Sequence, residues 1–164
     1  MGQRYLIALG SNKRHVRHGR PERVLTAALA ALEREGVTVI AAAPLVRSAP
    51  LGPSRRRYAN GAALIEAKLD PAELLDRLKA VERHFGRTRA GQRWASRVLD
   101  LDIVLWSGGA WSSPGLTVPH PAFRQRTFVL APALAIAPHW RDPLTALSLR
   151  QLHARLTRPR PLPR

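Results

Sequence analysis

The chain has 164 residues and no cysteine, which excludes a disulfide framework and a thiolate metal site and fits a reducing compartment. Its 27 lysines and arginines against 11 acidic residues give a formal net charge of +16. A polyanionic partner would account for this excess, but the arginines are spread over the whole chain, which favours a biased composition.

Length and composition predict one domain at residues 1–157, followed by an Arg/Pro-rich tail at residues 158–164 that is extended and flexible. No apolar run approaches the length of a membrane span. The N-terminus lacks the charged region and the long apolar region of a signal peptide. We therefore expect a cytoplasmic protein without a membrane partner.

Hydrophobic spacing and turn residues predict a succession of strands and helices. In chain order these are a strand at 5–9, a helix at 21–36, strands at 37–46 and 58–67, a helix at 71–86 with Asp70 as its N-cap, and a strand at 97–106. A weak last helix is expected within 144–156. The order β-α-β-β-α-β is that of a ferredoxin-like α+β sandwich, a largely antiparallel sheet with helices on one face. The other face would be free to bind ligands.

Two aspartates lie two residues apart in the last predicted strand. Side chains alternate along a strand, so Asp100 and Asp102 share one face, and the apolar residues around them point to the other. Unmatched carboxylates in a buried strand are costly, whereas Mg²⁺ uses one or two carboxylates completed by water and substrate phosphate. The pair therefore predicts a magnesium site. Ion pairs with arginines of neighbouring strands are the alternative interpretation.

The segment before this strand contains arginines at positions 87, 89, 93 and 97, and Gly86 and Gly91 bracket the first two. Arginine matches the geometry of phosphate, and a loop closing over phosphates strengthens each contact by excluding water. A solvated charged loop is the alternative. Trp94 is either a buried anchor or a contact to a nucleotide base. Next to the aspartate pair, this segment indicates a magnesium-dependent phosphoryl-type transferase.

Aromatic and polar residues further along suggest a ligand surface. Tyr58 and Asn60 share a face of the third predicted strand, and Phe128 follows Arg126 in a similar step. Aromatic residues usually pack in the core, but the Asn60 amide needs polar partners. A flat heteroaromatic ligand would satisfy both, stacked on the rings with its polar edge bonded to the amide.

His120 lies between two prolines, which hold the backbone extended and fix the direction of the ring. We interpret His120 as a hydrogen-bond donor to phosphate. A metal ligand is less favoured, because no second histidine is spaced with it. A structural histidine in a rigid turn is the alternative.

Four motifs occur in an order typical of one family. They are residues 8–12, residues 51–53 with Tyr58 and Asn60, residues 86–103, and residues 118–121 with 126–130. In these motifs the chain resembles the 6-hydroxymethyl-7,8-dihydropterin pyrophosphokinase family, up to about residue 138. The resemblance implies a ferredoxin-like fold and transfer of a pyrophosphoryl group from ATP to the hydroxymethyl oxygen of a pterin, with release of AMP, in folate synthesis.

The resemblance also implies roles for individual residues. Asp100 and Asp102 would hold two Mg²⁺ ions that bridge ATP and the pterin hydroxyl. Tyr58 and Phe128 would sandwich the pterin, and its polar edge would bond to Asn60, to Ser48 and to the backbone near Leu51. The expected ATP contacts are Glu82, Trp94, Ile103, Thr117, His120 and Arg126. The expected phosphate-binding catalytic arginines of a mobile loop are Arg87, Arg89 and Arg97.

Two other functions remain open at this point. Ferredoxin-like sheets also bind RNA through exposed aromatic residues, but aromatic residues make up only 5% of this chain and no aromatic-rich RNA-binding strand is present. A catalytically silent relative that keeps the fold and binds a pterin is the second. We expect a monomeric enzyme whose partners are ATP and the pterin, without a nucleic-acid partner.

Overall fold

The computed structural model describes residues 2–12, 15, 17–48, 58–86 and 98–163, with backbone alone for Ser48 and Tyr58. The strands are β1 (Gln3–Ser11), β2 (Thr38–Ala42), β3 (Val46–Ser48), β4 (Tyr58–Ala67), β5 (Asp100–Trp106), β6 (Trp111–Ser113) and β7 (Leu116–Val118). The α-helices are α1 (Pro21–Arg34), α2 (Pro71–His84), α3 (Thr127–Ile136) and α4 (Leu149–Thr157), and a short 3₁₀ turn covers Phe123–Gln125.

The central sheet has the strand order β2-β4-β1-β5, and β3 also pairs with β4. β1 lies in the middle and is antiparallel to both β4 and β5. α1 connects β1 to β2, and α2 connects β4 to β5. This arrangement is the predicted ferredoxin-like α+β fold with a largely antiparallel sheet, so the fold class is confirmed.

Apolar cores lie on both faces of the sheet. One core joins Ile7 and Ile65 of the sheet to Leu25 of α1 and Leu78 of α2. The second core joins Leu6, Ala62 and Val104 of the sheet to Phe123, Leu130 and Leu149 around α3 and α4. The expectation of helices on one face alone is therefore wrong. The open part of the second face is limited to what α3 and α4 leave uncovered.

The missed helix is α3, and its sequence explains why. Pro132 lies inside it, and a proline at that position removes a helical hydrogen bond and argues against a helix. Burial of Val129, Leu130 and Ala133 against the sheet compensates for that loss. Phe128 consequently lies in the first turn of a helix, and its expected extended spacing from Arg126 is wrong.

Several element ends differ from the expected ones by two to three residues, and two further differences are larger. The single strand expected at 37–46 is two strands, β2 and β3, with residues 43–45 between them, and Pro44 cannot donate to a ladder there. The expected last helix begins later, at α4, where Ser148 and Gln151 form a capping box. Residues 158–163 are exposed and have no regular structure. Their independence from the domain at 1–157 stays a prediction.

Asp70 is the N-cap of α2, as its sequence predicts. The Asp70 carboxylate accepts the Glu73 N–H at 2.8 Å, and the Glu73 carboxylate accepts the Asp70 N–H at 2.8 Å. Asp70→Ala removes the carboxylate that accepts the Glu73 N–H and keeps the backbone N–H that donates to Glu73, so we expect the free energy of unfolding to fall by about 1 kcal/mol in urea denaturation. Asp76→Ala, at an exposed position of the same helix, is the control, and an equal loss there would contradict the cap.

Candidate active site

The register of β1 brings the predicted polar residues onto one face of the sheet. Gly10 pairs with Asn60 on one side and with Asp100 on the other, so these two residues lie two strand spacings apart, about 10 Å. Asp102 likewise pairs with Ala8. Directly paired residues share a face. The small residues Ala8 and Gly10 of β1 therefore lie between the carboxylates and the amide, and β1 places no large side chain between them.

The aspartate pair alternates with core residues, as predicted. Leu101 and Ile103 are each 2% exposed, in the core under α1 and α2. On the opposite face Asp100 is half-buried and Asp102 is exposed. The expectation that strand burial makes both carboxylates costly is therefore wrong for Asp102, because the second core reaches β5 at Val104 and Leu105 and leaves Asp102 exposed. The pair is accessible to an ion or a ligand from solvent.

Glu82, on α2, binds the backbone of β5. Its carboxylate is 3% exposed and accepts the backbone N–H of Leu101 at 2.8 Å. β5 is an edge strand of the central sheet, and Leu101 lies between the two aspartates. Glu82 therefore satisfies an edge donor and fixes the backbone that carries them. Its predicted contact with ATP stays a prediction, as does that of Ile103, whose side chain points into the core.

His120 is tied to the same strand. Its N–H donates to the Val104 carbonyl at 3.0 Å, and its Nδ1 accepts the Ala122 N–H at 3.1 Å. In the neutral ring the proton is therefore on Nε2. Burial lowers the pKa of His120, the Asp102 carboxylate raises it, and the Arg126 guanidinium lowers it, with a net lowering. The result is a neutral imidazole with an Nε2–H donor near Asp102.

Arg126 and Phe128 lie at the start of α3. The Arg126 carbonyl accepts the N–H groups of Val129 and Leu130, both at 3.0 Å, so this residue begins the helix. The Arg126 guanidinium carbon lies 5.6 Å from the centre of the half-buried Phe128 ring, within range of a cation–π interaction. Arg126 thus interacts with the Phe128 ring and electrostatically with His120.

The structure brings Asp100, Asp102 and Asn60 to one face, and His120 interacts electrostatically with both Asp102 and Arg126. Thr117 is exposed in the β6–β7 hairpin, opposite Ser112. Leu51, Arg87, Arg89, Trp94 and Arg97 lie outside the described residues, as do the side chains of Ser48 and Tyr58.

Sequence reasoning missed one residue that acts on this region. Asp142 is buried and bound to Arg124, which lies between His120 and Arg126. Asp142 is the single acidic residue after Asp102 in the sequence. That isolation in an arginine-rich stretch was a signal that could have singled it out.

Residues 6–138 match the model of a family described as 7,8-dihydro-6-hydroxymethylpterin-pyrophosphokinase (HPPK). The chain belongs to the HPPK family. It is 43% identical over 145 residues to the 2-amino-4-hydroxy-6-hydroxymethyldihydropteridine pyrophosphokinase of Pseudomonas aeruginosa, covering 87% of this chain and 86% of that protein. The protein of the same name from Haemophilus influenzae is 39% identical over 133 residues, covering 80% and 79%.

A solved HPPK structure has the same fold. The crystal structure of Plasmodium falciparum HPPK-DHPS matches with a TM-score of 0.66 over 94% of this chain and 43% of that chain. The identity is 10%, so this likeness shows the fold alone. Within the described ranges, no helix is both long enough and apolar enough to cross a membrane.

The lowered pKa of His120 makes the stability of this chain depend on pH. The folded ring has a lower pKa than the unfolded one, so the unfolded chain binds more protons as the pH falls through about 6.5, and stability falls with it. We expect His120→Gln to lose less stability than wild type between about pH 7.5 and pH 5, measured by urea denaturation. His139→Gln, at an exposed position, should follow wild type. Parallel curves for wild type and His120→Gln would contradict the lowered pKa.

Proposed function

We propose that this chain transfers the pyrophosphoryl group of ATP to the hydroxymethyl oxygen of 6-hydroxymethyl-7,8-dihydropterin and releases AMP, in folate synthesis. Membership in the HPPK family supports the reaction. Relatives from Schizosaccharomyces pombe and Pisum sativum bear names in folic acid and folate synthesis. The observation that carries the proposal is the accessible Asp100–Asp102 pair, on the face of Asn60 and close enough to His120 for Asp102 to affect its pKa.

Asp100 and Asp102 fit magnesium. Among the described residues, no three His, Cys, Asp or Glu side chains form a self-contained metal site. Mg²⁺ does not need one, because it completes its shell with water and substrate phosphate. When bound, the two ions would neutralise phosphate charge and make the pterin hydroxyl more acidic.

The other polar groups would position ATP. The hydroxyl group loses its proton to solvent, its oxygen attacks the β-phosphorus, the bond from that phosphorus to the oxygen bridging it to the α-phosphorus breaks, and AMP leaves with that oxygen. Phosphoryl transfer of this kind needs positioned groups and charge neutralisation more than covalent help. His120 donates its Nε2–H and Arg126 its guanidinium to phosphate oxygens. Arg87, Arg89 and Arg97 join them, as the family resemblance implies.

The pterin would lie over the sheet, between the Phe128 ring and the Asn60 amide. Phe128 is half-buried, so one part of its ring stays available for stacking. Asn60 lies on the same face as the aspartates and would bond the polar edge of the pterin. Tyr58, the first residue of β4, is paired with Ser48 of β3. Both residues would contact the pterin from this end of β4. Glu82, Trp94, Ile103, Thr117 and the Leu51 backbone complete the predicted contacts.

We further propose a monomer in the cytoplasm without nucleic-acid or membrane partners. An exposed aspartate on the ligand face repels a phosphate backbone unless a cation is bound. Family membership disfavours the RNA-binding module. A silent relative would be expected to lose the aspartate pair first, and both aspartates are present.

The reaction itself is the first test. We expect AMP to form only when ATP, the hydroxymethyl-dihydropterin and Mg²⁺ are all present, because each supplies a part of the transfer. Chromatography of the nucleotides measures AMP, and excess chelator is the control. Pterin binding without AMP would indicate the silent relative. RNA affinity that survives chelation, without ATP turnover, would indicate the RNA-binding module.

Replacement of either aspartate tests the magnesium role. We expect Asp100→Asn or Asp102→Asn to lower kcat about a thousandfold, roughly 4 kcal/mol of transition-state stabilisation. The pterin dissociation constant should change less than about threefold, because neither carboxylate is placed in contact with the pterin ring. Asp76→Asn, exposed on α2, is the matched control. A near-wild-type kcat in either variant would reject the role.

A further inference from the structure

A buried ion pair lies next to the proposed ATP groups. Arg124 donates from Nε to one Asp142 carboxylate oxygen at 2.6 Å and from Nη2 to the other at 2.8 Å. The Thr145 hydroxyl adds a bond at 2.7 Å, and the Leu144 N–H adds one at 3.1 Å. Asp142 is 0% exposed. Burial raises its pKa, but the bonds from these three residues lower it below its usual value, so the carboxylate stays ionised.

Arg124 is the middle residue of the 3₁₀ turn between His120 and Arg126. The turn is held by hydrogen bonds of 3.2–3.3 Å, from Phe123 N–H to the His120 carbonyl, from Gln125 N–H to the Ala122 carbonyl and from Arg126 N–H to the Phe123 carbonyl. Bonds of this length and kind are weak, and an isolated 3₁₀ turn is poorly fixed by them. Two contacts outside these bonds therefore hold the turn: Phe123 is buried in the second core, and Arg124 is bound to Asp142.

Asp142 belongs to a loop that is itself well fixed. Its N–H donates to the Leu147 carbonyl and its carbonyl accepts the Ala146 N–H, both at 2.8 Å. The Leu149 N–H, at the start of α4, donates to the Trp140 carbonyl at 3.0 Å. α4 in turn buries Leu149 and Leu152 in the second core. The carboxylate thus connects the turn to a rigid part of the fold.

We propose that Asp142 is a positioning residue for ATP. Through Arg124 it holds the 3₁₀ turn so that His120 Nε2 and the Arg126 guanidinium meet the phosphates together. This inference rests on the proposed function. Asp142 lies outside residues 6–138, the part that matches the family, so the proposed ATP site would depend on a residue beyond that match.

The pterin side has separate support. Asn60 is held by strand pairing in β4, and Phe128 by the burial of Val129 and Leu130 in α3. Neither of these supports includes Arg124 or Asp142. Loosening the turn should therefore weaken ATP binding and leave pterin binding nearly unchanged, a split that general destabilisation would not produce.

Calorimetry on the full chain with Mg²⁺ tests this split, with a non-hydrolysable ATP analogue and the pterin titrated separately. We expect Asp142→Asn to raise the dissociation constant of the ATP analogue about tenfold, because two donors lose their common position. The pterin dissociation constant should stay within about twofold. Arg124→Lys keeps the charge but loses the two-pronged contact, so it should fall between wild type and Asp142→Asn.

Two controls separate position from stability. Leu32→Ala opens the other core from α1, which carries no proposed ligand contact, and lowers the melting temperature, but should leave ATP affinity unchanged. Arg77→Gln breaks the exposed Arg77–Glu35 pair at 3.4 Å and should change neither ligand's affinity. In a His120→Ala background, Asp142→Asn should weaken ATP binding less than it does in wild type, because part of its effect passes through that ring.

Unchanged ATP affinity in a folded Asp142→Asn or Arg124→Lys protein would overturn the proposal, and so would equal weakening of both ligands. If Asp142→Asn does not fold, Arg124→Lys decides alone. Failure of the proposed function is distinguishable, because it would appear in the wild-type protein, as an absence of AMP formation or of binding to the ATP analogue.

Discussion

The site depends on the antiparallel register of β1 with both of its neighbours. Gly10 lies opposite Asn60 and Asp100 at once, so the amide and the carboxylates share one face. Strand side chains alternate with a period of two, and a slip of one residue in β5 would send the aspartates into the core and Leu101 onto the surface. The apolar core under α1 and α2 opposes such a slip. Core packing and site geometry are therefore one constraint.

The second face of the sheet is used in two ways. α3 and α4 cover part of it and bury Phe123 and Leu130, while the strand ends at Gly10 and Asp100 form the proposed ligand surface. The segment from His120 to α3 borders both parts. In this segment His120 interacts with Asp102, Phe123 is buried in the second core and Arg124 is bound to Asp142. Positioning and stability therefore come from the same short stretch of chain.

Local patterns predicted what local physics determines. The strand at β4, the capping box at Asp70 and the shared face of the aspartate pair follow from spacing and cap chemistry, and the structure confirms them. α3 was missed because Pro132 weakens it and tertiary burial stabilises it. The Leu101 N–H donates to Glu82, and Arg124 donates to Asp142. Both hydrogen bonds join residues far apart in the sequence, so no local spacing predicts them. The roles of the arginines at 87, 89 and 97 stay predictions.

The most direct measurement is a crystal structure of the protein with a non-hydrolysable ATP analogue, Mg²⁺ and the pterin. The account predicts divalent ions at about 2.1 Å from oxygens of Asp100 and Asp102 and of the triphosphate. His120 and Arg126 should contact the same phosphates. A triphosphate bound elsewhere, with no ion at the two aspartates, would contradict it.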